Sequence, residues 1–443
     1  MSHLIKIKKG LDLKLIGEAT SDIANIVNPS PAFAVYPSDY PGFTPKLAKK
    51  EGDLVKAGET ILFDKSDNDI AIVSPICGKI ARVVRGERRK IERIEITAQG
   101  SNEPLSFKTH ELAKDAIIKL LKQSGLWTRM RQRPYDIIPE SGKEPRDIFI
   151  TAFDSAPLAT ADICHNNKNF IKGVEILSKL TNGTVHISCR QENVIETNFS
   201  TTHIISGPHP AGNLSIQIEK ISPVNKGETV WCLSGDTVTK IGHLFNTGKL
   251  DFSCTVAVTG ESISKPQILS AIEGQKISDF TKGNLTDCEN ARIISGNVLT
   301  GIKVSNDSFL HYPFRQITAI PEDSNPAEFM GWASLSTKKY SFSRCFFSWL
   351  QGNEKRFHFD AKINGGERAI IMAGEYDSVF PMDIYAEFLI KAILARDIEK
   401  MEQLGIYEVA PEDFALCEFI DTSKLELQKI VREGLDYLRK EMN

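Results

Sequence analysis

Two neighbouring stretches hold the residue types that could do chemistry. In Ser124–Pro134 (SGLWTRMRQRP), one aromatic and three cations, Trp127, Arg129, Arg131 and Arg133, fall within seven positions. In Asp147–Asp162 (DIFITAFDSAPLATAD), an apolar run over 148–153 is followed at once by Asp154, Ser155, Pro157, Leu158 and Asp162. The run has the length and the β-branched and aromatic content of a buried strand, and open α/β sheets form their ligand crevices just past the carboxyl ends of such strands. A loop that cradles a nucleotide phosphate needs glycines, so that backbone N–H groups can approach the anion. Ser124–Pro134 offers bulky side chains instead. The pair of stretches therefore reads as a cofactor-type crevice whose phosphate cradle is filled in. What it leaves is an apolar pocket bounded by Trp127, Phe153, Pro157 and Leu158, with Asp154 at its edge and Arg129 and Arg131 as hydrogen-bond donors. A further crevice element is SGPHPAGN (206–213), where two prolines pin His209 in an extended turn. A structural turn histidine is the preferred reading, with a ligand-contacting one kept beside it.

These residues need a frame, and the chain is long enough to build one. Its 443 residues suffice for roughly three domains and a large core. The 54 basic and 57 acidic side chains leave a formal charge of -3, so no global field draws nucleic acid or an anionic membrane. Eight cysteines are scattered, none closer than Cys232 is to Cys254. Iron–sulfur and zinc sites usually draw paired thiolates from one tight loop, and no such pair exists. Reduced, buried cytosolic thiols are expected, because no leader precedes Leu4 and a large core needs no staples. No apolar run approaches a membrane span, since even FSRCFFSWL (342–350) is interrupted by Arg344.

Taken in order, residues 1–105 read as short strands with turn punctuation, an all-β unit resembling the barrel-sandwich of biotinyl and lipoyl carrier domains. A carrier needs a lysine at the hairpin tip. Asp67 occupies that place and Lys65 lies two positions early, so a solvated hairpin lysine is the better reading. The cluster Arg88, Arg89, Lys90 and Arg93 has no aromatic interleaving; it reads as a solvated face or a dock for an acidic partner rather than a nucleic-acid site. From Glu111 a helical period runs to Gly125, and strand and helix patterns then alternate, giving a Rossmann-like α/β domain over 106–248. The region 249–330 reads strand, turn, strand, short helix, a β-grasp-like order. Residues 331–443 form a mixed region, with aromatic-rich FMGWASLSTKKYSFSRCFFSWL read as core or interface packing. Helices are expected over 382–404 and 423–442. Asn364-Gly365-Gly366-Glu367 is a turn rather than a phosphate loop, since no lysine and hydroxyl residue follow.

The order of elements and a set of short motifs resemble one family, the A-subunit of the bacterial sodium-translocating NADH:quinone reductase. The motifs are IKKGLDL (7–13), GLW-x-x-x-RQRP ending at Pro134, ITAFDSAPLA (150–159), SGPHPAG (206–212), SGNVLTG (295–301), NGGERAI (364–370), FPMDIY (380–385) and FALC (414–417). Together they span nearly the whole chain. The family is similar in turn to the flavin-binding subunit of respiratory complex I and to the C subunit of the Rnf complex. Those relatives carry a glycine-rich flavin loop where this chain has Trp127 to Arg133, and C-terminal cysteine motifs where it keeps isolated Cys417. It departs from the family at Leu214-Ser215-Ile216-Gln217, where histidines are usual, and at Asp421-Thr422-Ser423-Lys424, in place of cysteine-proline-glycine-lysine.

The resemblance implies a peripheral subunit on the cytoplasmic side of the bacterial inner membrane, without a redox cofactor of its own. FMN, FAD, riboflavin and iron–sulfur groups are then expected in partner subunits, as is sodium translocation, for which this chain has no intramembrane carboxylate. The complex would pass electrons from NADH to ubiquinone or menaquinone and export sodium. The pocket of Trp127, Arg129, Arg131, Phe153, Asp154, Pro157, Leu158 and His209 then becomes a candidate quinone contact. Its competitors are a crevice closed by its own side chains, a pure assembly role, a lipoyl- or biotin-like carrier, and a flavin-dependent dehydrogenase.

Overall fold

A mostly parallel sheet surrounds the apolar run at 148–153, as its composition demands. The computed structural model describes residues 3–20, 23–26, 28–99, 103–160, 167–323, 336–352 and 355–442; Asp162 and Cys164 lie outside them. The strands stand in the order His3–Lys6, Thr201–Ser206, Val185–Cys189, Ile148–Thr151, Val230–Ser234 and Arg131–Arg133. Neighbours are parallel except the last pair, which is antiparallel. All of Ile148–Thr151 is buried, as in a strand covered on both faces. Side chains alternate across it: Ile148 and Ile150 join the cluster holding Val174 and Val238, while Phe149 meets Ile218 and Val224 on the other face.

Helices Lys168–Ser178 and Gly235–Thr247 cover the first face and touch through glycines. A Cβ on Gly173 would stand 2.1 Å from the Val238 carbonyl oxygen, and one on Gly242 would stand 1.7 Å from that of Asn169. Only glycine permits this approach.

The first domain folds as two small sheets. One holds Ala32–Val35, Ile91–Ala98, Gly78–Arg85 and Leu54–Val55; the other holds Pro45–Leu47, Thr60–Asp64 and Ala71–Val73. Its hairpin tip is tied down, because Asp67 accepts from Lys122 of helix Lys114–Gln123 at 2.7 Å and from Ser141. The third domain is a mixed sheet ordered Ile302–Val304, Ala291–Ser295, Gln316–Pro321, Ser253–Thr259, Gln267–Ile272 and Ile23–Ile26, with the short helix Ser278–Thr281.

Three features differ from the sequence reading. The strands at His3–Lys6 and Ile23–Ile26 leave the all-β unit and complete the edges of the second and third sheets; nothing local in HLIK or IANI says which edge they pair with. The helix expected over 382–404 is two helices, Ala386–Leu394 and Ile398–Gln403. Arg396 turns left-handed at φ 55 and the Asp397 side chain caps a new start by accepting from the Lys400 N–H at 3.1 Å. The last helix begins at Leu427 rather than Ser423.

Candidate functional site

The residues of Ser124–Pro134 are placed by the helix Lys114–Gln123, which ends two residues before Gly125, a single 3₁₀ turn Trp127–Arg129, and the edge strand Arg131–Arg133. Trp127 is buried, donates its indole N–H to the Pro139 carbonyl at 2.9 Å and meets Trp231 edge-on at 5.1 Å. Arg129 forms a two-pronged ion pair with Glu273 of the third domain and lies 5.1 Å over the Tyr312 ring. Lys240 pairs with the same carboxylate. Burial would raise the Glu273 pKa, but Arg129 and Lys240 overcome it and hold the carboxyl at about 2. Arg131 donates to the carbonyls of Thr128 at 3.0 Å, Met130 at 3.1 Å and Asp39 at 3.0 Å.

The second stretch faces elsewhere. Phe153 is buried beneath the Arg190 guanidinium at 4.4 Å. Asp154 is exposed and accepts from the Ala156 N–H at 2.8 Å. The buried Pro157 gives its carbonyl to Gln316 at 3.1 Å. Leu158, left-handed at φ 60, packs against a cluster of Leu13, Leu15, Ile294 and Ile320. His209 is buried with Nδ1 3.0 Å from the Ser155 hydroxyl, and burial holds its pKa down at about 4, so the ring is neutral. Trp127, Phe153 and Leu158 thus belong to three separate apolar clusters, and the structure does not gather the eight candidates around one crevice.

A cleft does open where three domains meet. It is lined by Tyr36, Asp39 and Tyr40 of the first domain, Arg129 and Asp236 of the second, and Cys254, Glu273, His311, Tyr312 and Arg315 of the third. His311 stacks on Tyr36 at 3.8 Å and bonds Asp39 through Nδ1 at 2.8 Å, which puts Nε2 on the far edge of the ring. Burial raises the Asp39 pKa against the pull of His311. Tyr40 stacks on Tyr312 at 5.3 Å. The free space is about 50 Å³. An apolar cavity that accepts benzene measures roughly 150 Å³, so a substituted ring enters only if an aromatic side chain swings aside.

Of these lining residues the sequence singled out Arg129 alone. The others are distant in the chain and carry no shared motif; only the local string His311-Tyr312-Pro313 could have drawn attention. None of the seven described cysteines is in a disulfide, but Cys288 and Cys345 are exposed rather than buried. No group of three or more potential metal ligands occurs among the described residues.

Comparison with known proteins covers the whole chain. Three family profiles match: the NqrA N-terminal barrel-sandwich hybrid domain over residues 5–99, the NqrA second alpha/beta domain over 112–250, and the NQRA C-terminal domain over 255–306. Proteins named as the A-subunit of the Na(+)-translocating NADH-quinone reductase, from Neisseria meningitidis serogroup C, Photorhabdus laumondii and Hahella chejuensis, are each 35% identical over 99% of this chain and 100% of their own length. A solved NAD+-reducing [NiFe]-hydrogenase in the H2-reduced state matches at 8% identity over 40% of this chain and 41% of its own. Its TM-score of 0.26 is too low to bear on fold or function.

Proposed function

The chain belongs to the NqrA family, the A-subunit of the Na(+)-translocating NADH-quinone reductase, and we propose that it serves this enzyme complex as a peripheral, cofactor-free frame on the cytoplasmic side of the membrane. In this reading the flavins and iron–sulfur groups that carry electrons from NADH to quinone, and the sodium path, lie in partner subunits. No helix among the described residues is long and apolar enough to cross a membrane.

One observation carries the reading. The donors of Trp127, Arg129 and Arg131, which a ligand at a filled cradle would have to use, are spent on the protein's own first and third domains and on neighbouring carbonyls. Turning Arg129 to a ligand would leave Glu273 buried beside a single cation, at a cost on the order of several kcal/mol.

A second reading, quinone contact, is favoured by the interdomain cleft. Tyr36, Tyr40 and Tyr312 supply ring faces, and the outward Nε2 edge of His311 supplies a polar contact beside them. Titrating the purified chain with a water-soluble ubiquinone analogue, followed by ligand-observed NMR, separates the two. The frame reading expects no saturable binding up to millimolar analogue. Saturable micromolar binding that is lost in His311→Gln and Tyr36→Leu would replace it with the quinone-site reading.

A further inference from the structure

Between Gly331 and Asn353 the sequence holds six aromatic residues and the cations Lys338, Lys339 and Arg344, with no acidic residue at all, in a chain whose net charge is -3. The part of this stretch in the structure, 336–352, turns on Ser341, whose hydroxyl accepts from the Cys345 N–H at 3.0 Å, and then winds into the 3₁₀ helix Phe347–Gln351. That helix is inside out for a surface in water. Ser348 is buried at 4% exposure, while Phe347, Trp349 and Leu350 are 43%, 52% and 63% exposed. With three residues per turn, Phe347 and Leu350 fall on the same side, and Trp349 adjoins them.

The presentation is held from beneath. Tyr340 packs against Phe357, Phe359 and Phe419 at 5.3, 5.1 and 6.0 Å between ring centres. The cations stand around the apolar tip: Lys338 and Arg344 are exposed, and the Lys339 ammonium lies 5.7 Å over the Phe346 ring.

We propose that this loop is a lipid contact, with Phe347, Trp349 and Leu350 dipping into the headgroup region of an anionic bilayer and Lys338, Lys339 and Arg344 meeting its phosphates. Tryptophan and phenylalanine between cations is the composition that prefers this boundary, where the rings leave water and the charges do not. The charge pattern selects lipid over a general apolar dock. Another exposed aromatic pair, Tyr385 and Phe388, flanks Glu387, which an anionic surface would repel; in the loop the first acidic residue after the aromatic tip is Glu354, four positions beyond Leu350.

The contact rests on the reading of the chain as a peripheral member of a membrane complex, but it fails separately from it. Flotation of the full chain with phosphatidylcholine vesicles, with and without phosphatidylglycerol, is the direct test. Binding is expected only to the anionic vesicles and should weaken steeply with salt. Lys338→Gln, Lys339→Gln and Arg344→Gln together should lower partitioning roughly 100-fold. Trp349→Ser with Leu350→Ser should also release the chain, with circular dichroism unchanged because both side chains are exposed. A chain that assembles with its partner subunits but ignores anionic vesicles overturns the lipid contact and leaves a protein partner as the occupant. Vesicle binding that survives both sets of substitutions assigns the contact to another surface and overturns the proposal equally.

Discussion

Glu273→Gln isolates the charge cluster that joins the second and third domains. The carboxylate is held by Arg129 and Lys240, both nearly closed to solvent, and is itself 18% exposed at the side chain. Its pKa falls from 4.5 to about 2, against burial that alone would raise it. At 1.36 kcal/mol per unit this corresponds to about 3 kcal/mol of stabilisation at neutral pH. Glutamine keeps the shape and one acceptor but leaves Arg129 buried without its anion and Lys240 with Asp236 alone, at 3.3 Å, so the loss should approach that figure. For 443 residues unfolding as one unit, about 3 kcal/mol lowers Tm by roughly 3 °C, and by more if the third domain unfolds alone. Because the folded pKa lies below the unfolded one, the stabilisation is present above about 4.5 and disappears as pH falls towards about 2. Scanning calorimetry of both proteins from pH 8 down to pH 3 should therefore show a gap in Tm that narrows below pH 4.5. A variant as stable as the parent at pH 7, or a gap constant across the range, refutes the account.

Two other perturbations probe separate parts of the frame. Gly242→Ala places a Cβ 1.7 Å from the Asn169 carbonyl oxygen, so the two helices must part; a loss of several kcal/mol in urea unfolding is expected, and a loss no larger than that of a surface Gly→Ala counts against the close contact. The protein packed around Glu412 and the neighbouring Asp413 carboxylate raise its pKa. Its folded pKa lies above the unfolded one, so the parent should lose stability as pH rises above about 4.5, while Glu412→Gln should lose less; Tm curves of the two proteins that stay parallel from there to neutral pH rule this out.

What was legible in the sequence was whatever repeats locally. The apolar run at 148–153 announced a central strand, the period from Glu111 announced the helix Lys114–Gln123, and the strand, turn, strand, helix order of 249–330 matches the elements found. The break at Arg396 and Asp397 was missed because an apolar period continues across it, although an aspartate before Ile398 is the capping residue a new helix needs. Edge pairing could not be read either, since His3–Lys6 would fit any open parallel edge of matching pleat.

The candidate site shows a further limit. Arg129, Arg131 and Arg133 were legible as residues that fill a cradle, but not as residues that reach outward. Arg129 crosses to Glu273 in the third domain, 144 positions away, and Arg131 crosses to the Asp39 carbonyl in the first. Arg133 stays within the second domain, bonded to Ser215 and Asp136, and just beyond it the carbonyls of Tyr135 and Asp136 accept Arg432 of the last helix at 2.6 and 3.1 Å. A glycine loop at this place would offer backbone N–H groups to an anion and could make none of the side-chain contacts. The side chains that stand where a phosphate cradle would need glycine thus supply the contacts that join the second domain to the first and the third. At this segment the bulk that leaves no room for a phosphate and the contacts between domains come from the same side chains, and that is the physical support for the frame proposed above.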